Sequence, residues 1–321
     1  MPVLNSDSYK PTALFRNGFI GTVYPYYFRK PLTYPYQRQR VKTPDEDFFD
    51  IDWLKNNHNT KLAILLHGLE GSSGSQYING LTGVLFNAGY DIAAVNFRSC
   101  SGEINLQPEM YHSGYTKDLD YIIHHLTDDY ATVVICGFSL GGNVILKYAG
   151  QCGHDIYPKI KAVAAISAPC DLRGVSLQFK KWYNYPYEKL FLKTLMQKVE
   201  IKHKMYPDII DLSHVSKIKN LWDFDEYYNA AMHQFTGAED YYNLNSSIRF
   251  LPGICVPAFI LNAKNDSFLS DTCYPYHEAE ENAFVHLMTP EYGGHVGFAG
   301  FRQTKYWSDL MIESFFKAHT N

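Results

Sequence analysis

The chain carries Ser139 inside Gly137-Phe138-Ser139-Leu140-Gly141, Asp266 inside Asn265-Asp266-Ser267, and His295 inside Gly293-Gly294-His295-Val296-Gly297. A serine hydroxyl is a poor nucleophile at neutral pH until a positioned base takes its proton, and that base needs an orienting acid. The three residue types occur here in the order serine, acid, histidine, which is the order used when the serine stands on a turn between a strand and a helix. The chemistry on offer is attack of Ser139 on a carbonyl, with His295 moving the proton and Asp266 orienting His295.

Such a turn needs a strand to enter and a helix to leave. Thr132–Cys136 is apolar and β-branched, and Val144, Ile145, Leu146, Tyr148 and Ala149 continue beyond the serine with helical character. Gly137 and Gly141, two before and two after the serine, leave room for a tight turn. The helix start beside Ser139 offers unpaired N–H groups and the positive end of the helix dipole. A tetrahedral oxyanion needs donors, and the backbone N–H of Leu140 is one. The second is expected from the loop after the strand Lys61–Leu66, with Leu69 as the candidate and His67 shaping the loop through a structural hydrogen bond.

The rest of the chain supplies the scaffold. Arg38–Lys42 and Phe48–Leu54 alternate around a turn at Thr43–Asp47 and predict a hairpin. Strands are expected at Lys61–Leu66, Asp91–Phe97, Thr132–Cys136, Lys161–Ala168, Val256–Asn262 and Ala283–Met288. Helices are expected at Gln76–Asn87, Thr116–Leu126, Cys273–Glu281 and Thr304–His319, with another directly after Ser139. Strands that are continuously apolar and alternate with helices predict an α/β fold with a mostly parallel, doubly wound sheet covered on both faces. Asp266 and His295 then follow strands at their C-terminal ends, where open α/β sheets place their chemistry.

The alternation stops between Asp171 and Pro252. That stretch holds Trp182, Tyr183, Tyr185, Tyr187, Phe191, Trp222, Phe224, Tyr241 and Tyr242 and shows helical signals. It is expected to be a lid: residues 1–172 and 251–321 form the core, residues 1–39 are an N-terminal arm laid over it, and 173–250 are the insertion. An aromatic-rich insertion could pack down as plain core or form an apolar acyl pocket.

Composition bounds the function. A net charge of −4 with no basic stripe argues against a nucleic-acid partner. The six cysteines form no C-x-x-C and mostly accompany apolar segments, so reduced thiols are expected rather than a disulfide frame. No metal-spaced His/Cys/Asp cluster appears, since His124 and His125 are neighbours on one helix, and no G-x-G-x-x-G or P-loop lysine points to a cofactor. His286 lies within a strand, and Asp271 is expected to cap the helix after it. Neither a leader nor an apolar run of about 18 residues is legible, which predicts a cytoplasmic protein and leaves peripheral membrane contact open.

Five blocks carry a resemblance. They are Phe15–Tyr24, His67–Ser72 (H-G-L-E-G-S), Asn96–Asn105 (N-F-R-S-C-S-G-E-I-N), Tyr111–Leu119 (Y-H-S-G-Y-T-K-D-L) and Gly137–Asn143 (G-F-S-L-G-G-N). Weaker agreement runs through Phe224-Asp225-Glu226 to Gly294-His295-Val296-Gly297-Phe298. Together they resemble the AB hydrolase 4 family of α/β-hydrolases, which groups bacterial YheT-type hydrolases with eukaryotic ABHD1- and ABHD3-like proteins. The resemblance implies the α/β-hydrolase fold, a serine hydrolase acting on medium-chain acyl esters or lipids, and a triad at Ser139, Asp266 and His295. One departure stands out: family members often show D-D-P where this chain has Asn265-Asp266-Ser267, leaving a single acid. Hydrolysis of a carboxylic ester is the expected reaction. Discharge of the same acyl-enzyme by an alcohol is the alternative, and a non-catalytic binding protein is the third reading.

Overall fold

The computed structural model describes residues 3–5, 8–29, 32–56 and 58–320. At its centre lies one sheet in the order β1-β2-β4-β3-β5-β6-β7-β8. The hairpin β1 (Gln37–Lys42) and β2 (Phe48–Leu54) forms one edge. Its register sets Arg38 opposite Asp52 and Arg40 opposite Asp50, and both pairs close as bidentate ion pairs across the strands. The charged residues of β1 also keep this edge in solvent.

From β2 onward every strand is buried, and from β4 on every pairing is parallel. The strands are β3 (Lys61–Leu66), β4 (Tyr90–Asn96), β5 (Thr132–Phe138), β6 (Ile160–Ile166), β7 (Ala258–Leu261) and β8 (Val285–Met288). Their continuous apolar runs need cover on both faces. On one face α3 (Lys117–Leu126), α4 (Leu140–Cys152) and α10 (Tyr276–Glu281) bury Ile122, Val144, Ile145 and Ala279 against Ile64, Ile135 and Ile260. On the other, α2 (Gln76–Asn87) and α11 (Trp307–His319) bury Ile78, Leu81, Ile312 and Phe316 against Leu65, Val134 and Phe259.

Between β6 and β7 the chain leaves the sheet for helices. They are α5 (Leu172–Phe179), α6 (Tyr185–Met205) and α7 (Leu221–Phe224), which runs through a π-helical turn at Asp225–Asn229 into α8 (Ala230–Met232), and then α9 (Ala238–Asn245). These helices share their own apolar cluster around Phe179, Leu195, Val199, Phe224 and Phe268.

The strand and hairpin expectations hold with shifts of one or two residues at most ends. One helix is unanticipated and one expected helix is interrupted. The expected N-terminal arm, for which the sequence predicts no element, contains a helix, α1 (Gly18–Phe28), capped by the Asn17 side chain accepting from the Ile20 N–H at 3.1 Å. Gly18, Gly21 and Pro25 hide it, because each lowers helix propensity in a short window. The helix expected at Cys273–Glu281 splits into a 3-10 turn at Asp271–Cys273 and α10 from Tyr276. Pro275 stands before α10 and lacks the N–H that a continuous helix would require there, so Asp271 caps nothing downstream.

Candidate active site

The turn at Ser139 is sharp because its backbone is forced. Ser139 has φ 51° and ψ −120°, a region that costs a non-glycine residue on the order of 1–3 kcal/mol. The surrounding structure overdetermines it: the Ser139 N–H donates to Ile166 O at 2.8 Å and its carbonyl accepts from Asn143 N at 3.1 Å. Glycines make this possible. A Cβ on Gly137 would lie 2.2 Å from the Gly141 carbonyl, and one on Gly141 would lie 2.6 Å from the His67 carbonyl.

His295 and Asp266 reach the same point from the loops after β8 and β7. The His295 Nε2 is 2.9 Å from Ser139 Oγ, and its Nδ1 is 2.7 Å from Asp266 Oδ2. With the Nδ1 proton facing the carboxylate, Nε2 is left to accept the serine proton. The other Asp266 oxygen accepts the Phe268 N–H at 2.9 Å, so the carboxylate is held at both ends and its side chain is fully buried. All three residues singled out in the sequence therefore form one hydrogen-bonded chain.

The loop after β3 runs directly beside the serine. A Cβ on Gly68 would meet Ser139 Cβ at 3.1 Å, so any larger residue here would press on the serine. Among the described residues neither the Leu69 N–H nor the Leu140 N–H has a hydrogen-bond acceptor, and both residues line the cavity at Ser139. Their neighbours are tied down: Gly68 N donates to Tyr77 Oη and Glu70 N donates to Tyr111 Oη. His67 is buried beneath, donating through Nδ1 to Gly68 O at 2.7 Å and accepting the Phe97 N–H at Nε2, 3.1 Å away. Burial pushes its pKa down to about 4, so the neutral ring that makes both bonds persists at neutral pH. Its structural part is the expected one.

Two supports escaped the sequence reading. The first is α1. The His295 N–H donates to Thr22 Oγ1 at 2.8 Å, and that hydroxyl donates to Gly18 O at 2.8 Å. Asn265 accepts the Gly294 N–H at 2.9 Å and donates to Arg16 O at 3.0 Å. The histidine loop needs this brace, because Gly294, Val296 and Phe298 all have positive φ. The block Phe15–Tyr24 was visible as a motif, but nothing in it says that it holds a loop some 270 positions away. The second support is Lys198 of α6, which pairs with Glu70 at 2.6 Å and so links the helical segment to the loop carrying Leu69.

Above Ser139 opens a cavity of about 610 Å³. Leu172, Val175, Phe179, Phe191, Leu195 and Phe224 line it, and Phe19, Tyr26 and Tyr27 of α1 close one side. Polar groups are few away from Ser139, Asp266 and His295. Asp225 is the notable one, accepting from Tyr242 Oη at 2.7 Å and Asn229 Nδ2 at 2.6 Å. Burial raises its pKa to about 7.

Comparison with known proteins agrees with this layout. A family model described as alpha/beta hydrolase fold matches residues 62–298. The Escherichia coli protein YheT is 32% identical over 92% of this chain and 88% of its own length. The phospholipase ABHD3 of Bos taurus is 31% identical over 85% of this chain and 69% of its own. Among solved structures, the Pyrococcus furiosus esterase Pf2001 superposes with a TM-score of 0.59 at 16% identity, covering 90% of this chain and 92% of that one, a likeness of fold. With a family model across three quarters of its length and a relative at 32% identity, the chain belongs to the α/β-hydrolase fold family, among its carboxylic ester hydrolases.

Proposed function

We propose that this protein hydrolyses carboxylic esters of short- to medium-chain acyl groups, lipids included, through an acyl-enzyme on Ser139. The observation that carries this reading is the unbroken chain from Ser139 Oγ through His295 to Asp266 on the floor of an apolar cavity. His295 takes the Ser139 proton as Oγ attacks the ester carbonyl, and Asp266 stabilises the imidazolium. The Leu69 and Leu140 N–H groups receive the oxyanion. Collapse of the tetrahedral species expels the alcohol with the proton that His295 returns. A water deprotonated by His295 then releases the acid and restores Ser139.

The helical segment 173–250 acts as the lid over the core formed by 1–172 and 251–321, and its aromatics form the acyl pocket. A volume of about 610 Å³ fits this use, since pockets of roughly 300–1,000 Å³ enclose small organic ligands. The names phospholipase ABHD3 and, in Saccharomyces cerevisiae, monoacylglycerol lipase, borne by relatives at 31% and 25% identity, support a lipid ester as substrate. Six free cysteines support residence in a reducing compartment, the cytoplasm.

The test is kcat/KM for p-nitrophenyl esters from acetate to palmitate, alongside fluorophosphonate labelling of Ser139. Each added methylene should gain up to ~0.8 kcal/mol until the pocket is full, followed by a plateau or a fall. A steady decline from acetate onward would exclude an acyl pocket, and an unlabelled Ser139 would exclude the nucleophile.

A further inference from the structure

Large apolar side chains exposed to solvent are unevenly placed in this molecule, and many of them gather at the rim of the cavity. Phe19, Tyr26 and Tyr27 of α1 and Leu190 of α6 line the cavity yet remain more than half exposed, so its rim reaches the surface there. From this rim a ladder of rings runs outward, exposed except for the half-buried Tyr24. Tyr26 meets Tyr27 at 4.9 Å and Tyr27 meets Phe28 at 6.5 Å between centroids. Phe28 stacks on Tyr24 at 5.0 Å, and Tyr24 faces Phe301 at 6.5 Å. Across the mouth, Phe19 meets Tyr187 of α6 at 6.1 Å, and the turn leading into α6 carries Trp182 at 85% exposure. A monomer has no folding reason to hold so many rings in water in one region.

The charge around this collar is equally one-sided. Segments 12–29, 180–193 and 299–306 expose seven lysines and arginines, among them Lys180, Lys181, Lys189 and Arg302, and contain one acid, Glu188, which is buried. None of the seven forms an ion pair among the described residues. Yet the chain as a whole carries a formal charge of −4. By contrast the exposed arginines of the β1 edge, Arg38 and Arg40, are each matched to a carboxylate.

We propose that the collar docks on an anionic lipid surface, holding the mouth of the cavity against the membrane so that an acyl chain passes from the bilayer to Ser139 without crossing water. Tyrosine and tryptophan favour the headgroup level, where a ring can be buried while its polar atom stays wet. Unpaired lysines and arginines beside them are attracted to anionic headgroups. Charge argues for this occupant over a second copy of the chain, because two collars brought face to face would set seven unpaired cations against seven more. Docking is independent of the acyl-enzyme reading: binding can be present in a protein whose Ser139 does nothing.

The experiment is flotation of the full chain with vesicles of phosphatidylcholine alone and of an equimolar mixture with phosphatidylglycerol. The wild type should float with the mixed vesicles, float poorly with phosphatidylcholine alone, and be released by high salt. The variant F28S/W182S/F301S, whose three positions lie outside the cavity lining, should bind about tenfold less while hydrolysing a soluble acetate ester at the wild-type rate. The charge variant K181E/K189E/R302E should lose the preference for phosphatidylglycerol with the aromatic collar intact. Wild-type protein that stays with the unbound fraction would overturn the proposal, as would variants that float like wild type. A wild-type dimer that F28S/W182S/F301S converts to monomers would assign the collar to self-association instead.

Discussion

The C-terminal edge of the sheet and the helical segment above it are held in place by different means. At the sheet edge, position is set by main chain: β5 and β6 are buried along nearly their whole length, and Ser139 is pinned by hydrogen bonds to Ile166 and Asn143. In the helical segment, apolar packing is supplemented by a handful of buried polar ties to the core. Lys202 donates to the Asn105 and Gln107 carbonyls, Lys147 reaches Asn245 at 2.6 Å, and Asn143 donates to Asn245 O at 2.8 Å. The difference suits the two tasks proposed for these regions. Proton transfer tolerates little displacement of the reacting atoms, whereas enclosing an acyl chain tolerates adjustment. Substitutions at the edge should therefore cost rate with the fold intact, and those in the segment should cost stability or fit with the chemistry intact.

The largest effect expected is at Ser139. Ser139→Ala should lower kcat by on the order of 10⁶, the scale of losing the nucleophilic serine in subtilisin. The melting temperature should stay near wild type, because the strain at φ 51° is unchanged and only a hydroxyl is lost. Measurable turnover above a small fraction of wild type would dissolve the contrast, since the edge would then not carry the chemistry. Next comes Asp266→Asn, expected to cost about 10⁴ in kcat by favouring the wrong imidazole tautomer, as in chymotrypsin-type enzymes. A loss of only a few-fold would send the search for the orienting acid elsewhere.

In the helical segment the corresponding test is Lys202→Met. It removes the donor to the buried Asn105 carbonyl and one of two donors to the Gln107 carbonyl, which keeps the Asn105 amide, at about 1–3 kcal/mol in total. Thermal unfolding should shift down by several degrees while kcat for a short soluble ester is kept. A collapse of kcat would mean that the segment, too, positions the reacting groups.

Legibility in the sequence followed the same divide. The strands could be read because a parallel sheet buried on both faces demands unbroken apolar runs, and Lys61–Leu66 and Thr132–Phe138 supply them. That Ser139, Asp266 and His295 come together could be anticipated because the order of such residues along the strands is restricted. The brace at Thr22 could not, because a hydroxyl that accepts one backbone N–H looks like any other threonine, and Pro25 masks the helix that carries it. Nor could the function of Asn96–Asn105. There Arg98 is buried between Asp47 and Asp118, and Asn105 bonds back to Asp47, so a segment that reads as a polar loop is a buried ionic knot. Pairing across such distances leaves no periodicity to detect.

Thr22 tests that omission. Thr22→Val keeps the shape but removes the acceptor for the His295 N–H, at about 1–2 kcal/mol, so kcat should fall about tenfold with KM little changed. Thr22→Ser should restore it. Equal effects of both substitutions would reduce α1 to packing.

The smallest effect expected concerns Asp225, where the helical segment places a carboxyl in an apolar wall. Burial raises its pKa from 3.8 to about 7, against the hydrogen bonds from Tyr242 and Asn229 that favour the carboxylate. Between about pH 4 and pH 7 the native state therefore holds a proton that the unfolded chain has released, so stability contributed by this group drains away as pH rises through that window and levels off above it. His67 and His233, both pushed down to about 4 by burial, have the opposite slope: their neutral forms favour the native state, and that stability is lost as pH falls from 6.5 toward 4. The raw pH profile of the wild type sums these opposing slopes, so the informative quantity is the difference between wild type and Asp225→Asn. The amide can still accept from Asn229 through its oxygen and donate to the Tyr242 hydroxyl through its nitrogen, while it carries no proton to lose. The histidine contributions cancel in the difference. The melting temperature of the variant relative to wild type should rise by on the order of a few degrees between pH 4 and pH 7 and then stay level. A difference that is flat over that window would mean that Asp225 is already ionised in the folded state, and that the wall of the cavity is wetter than its lining implies.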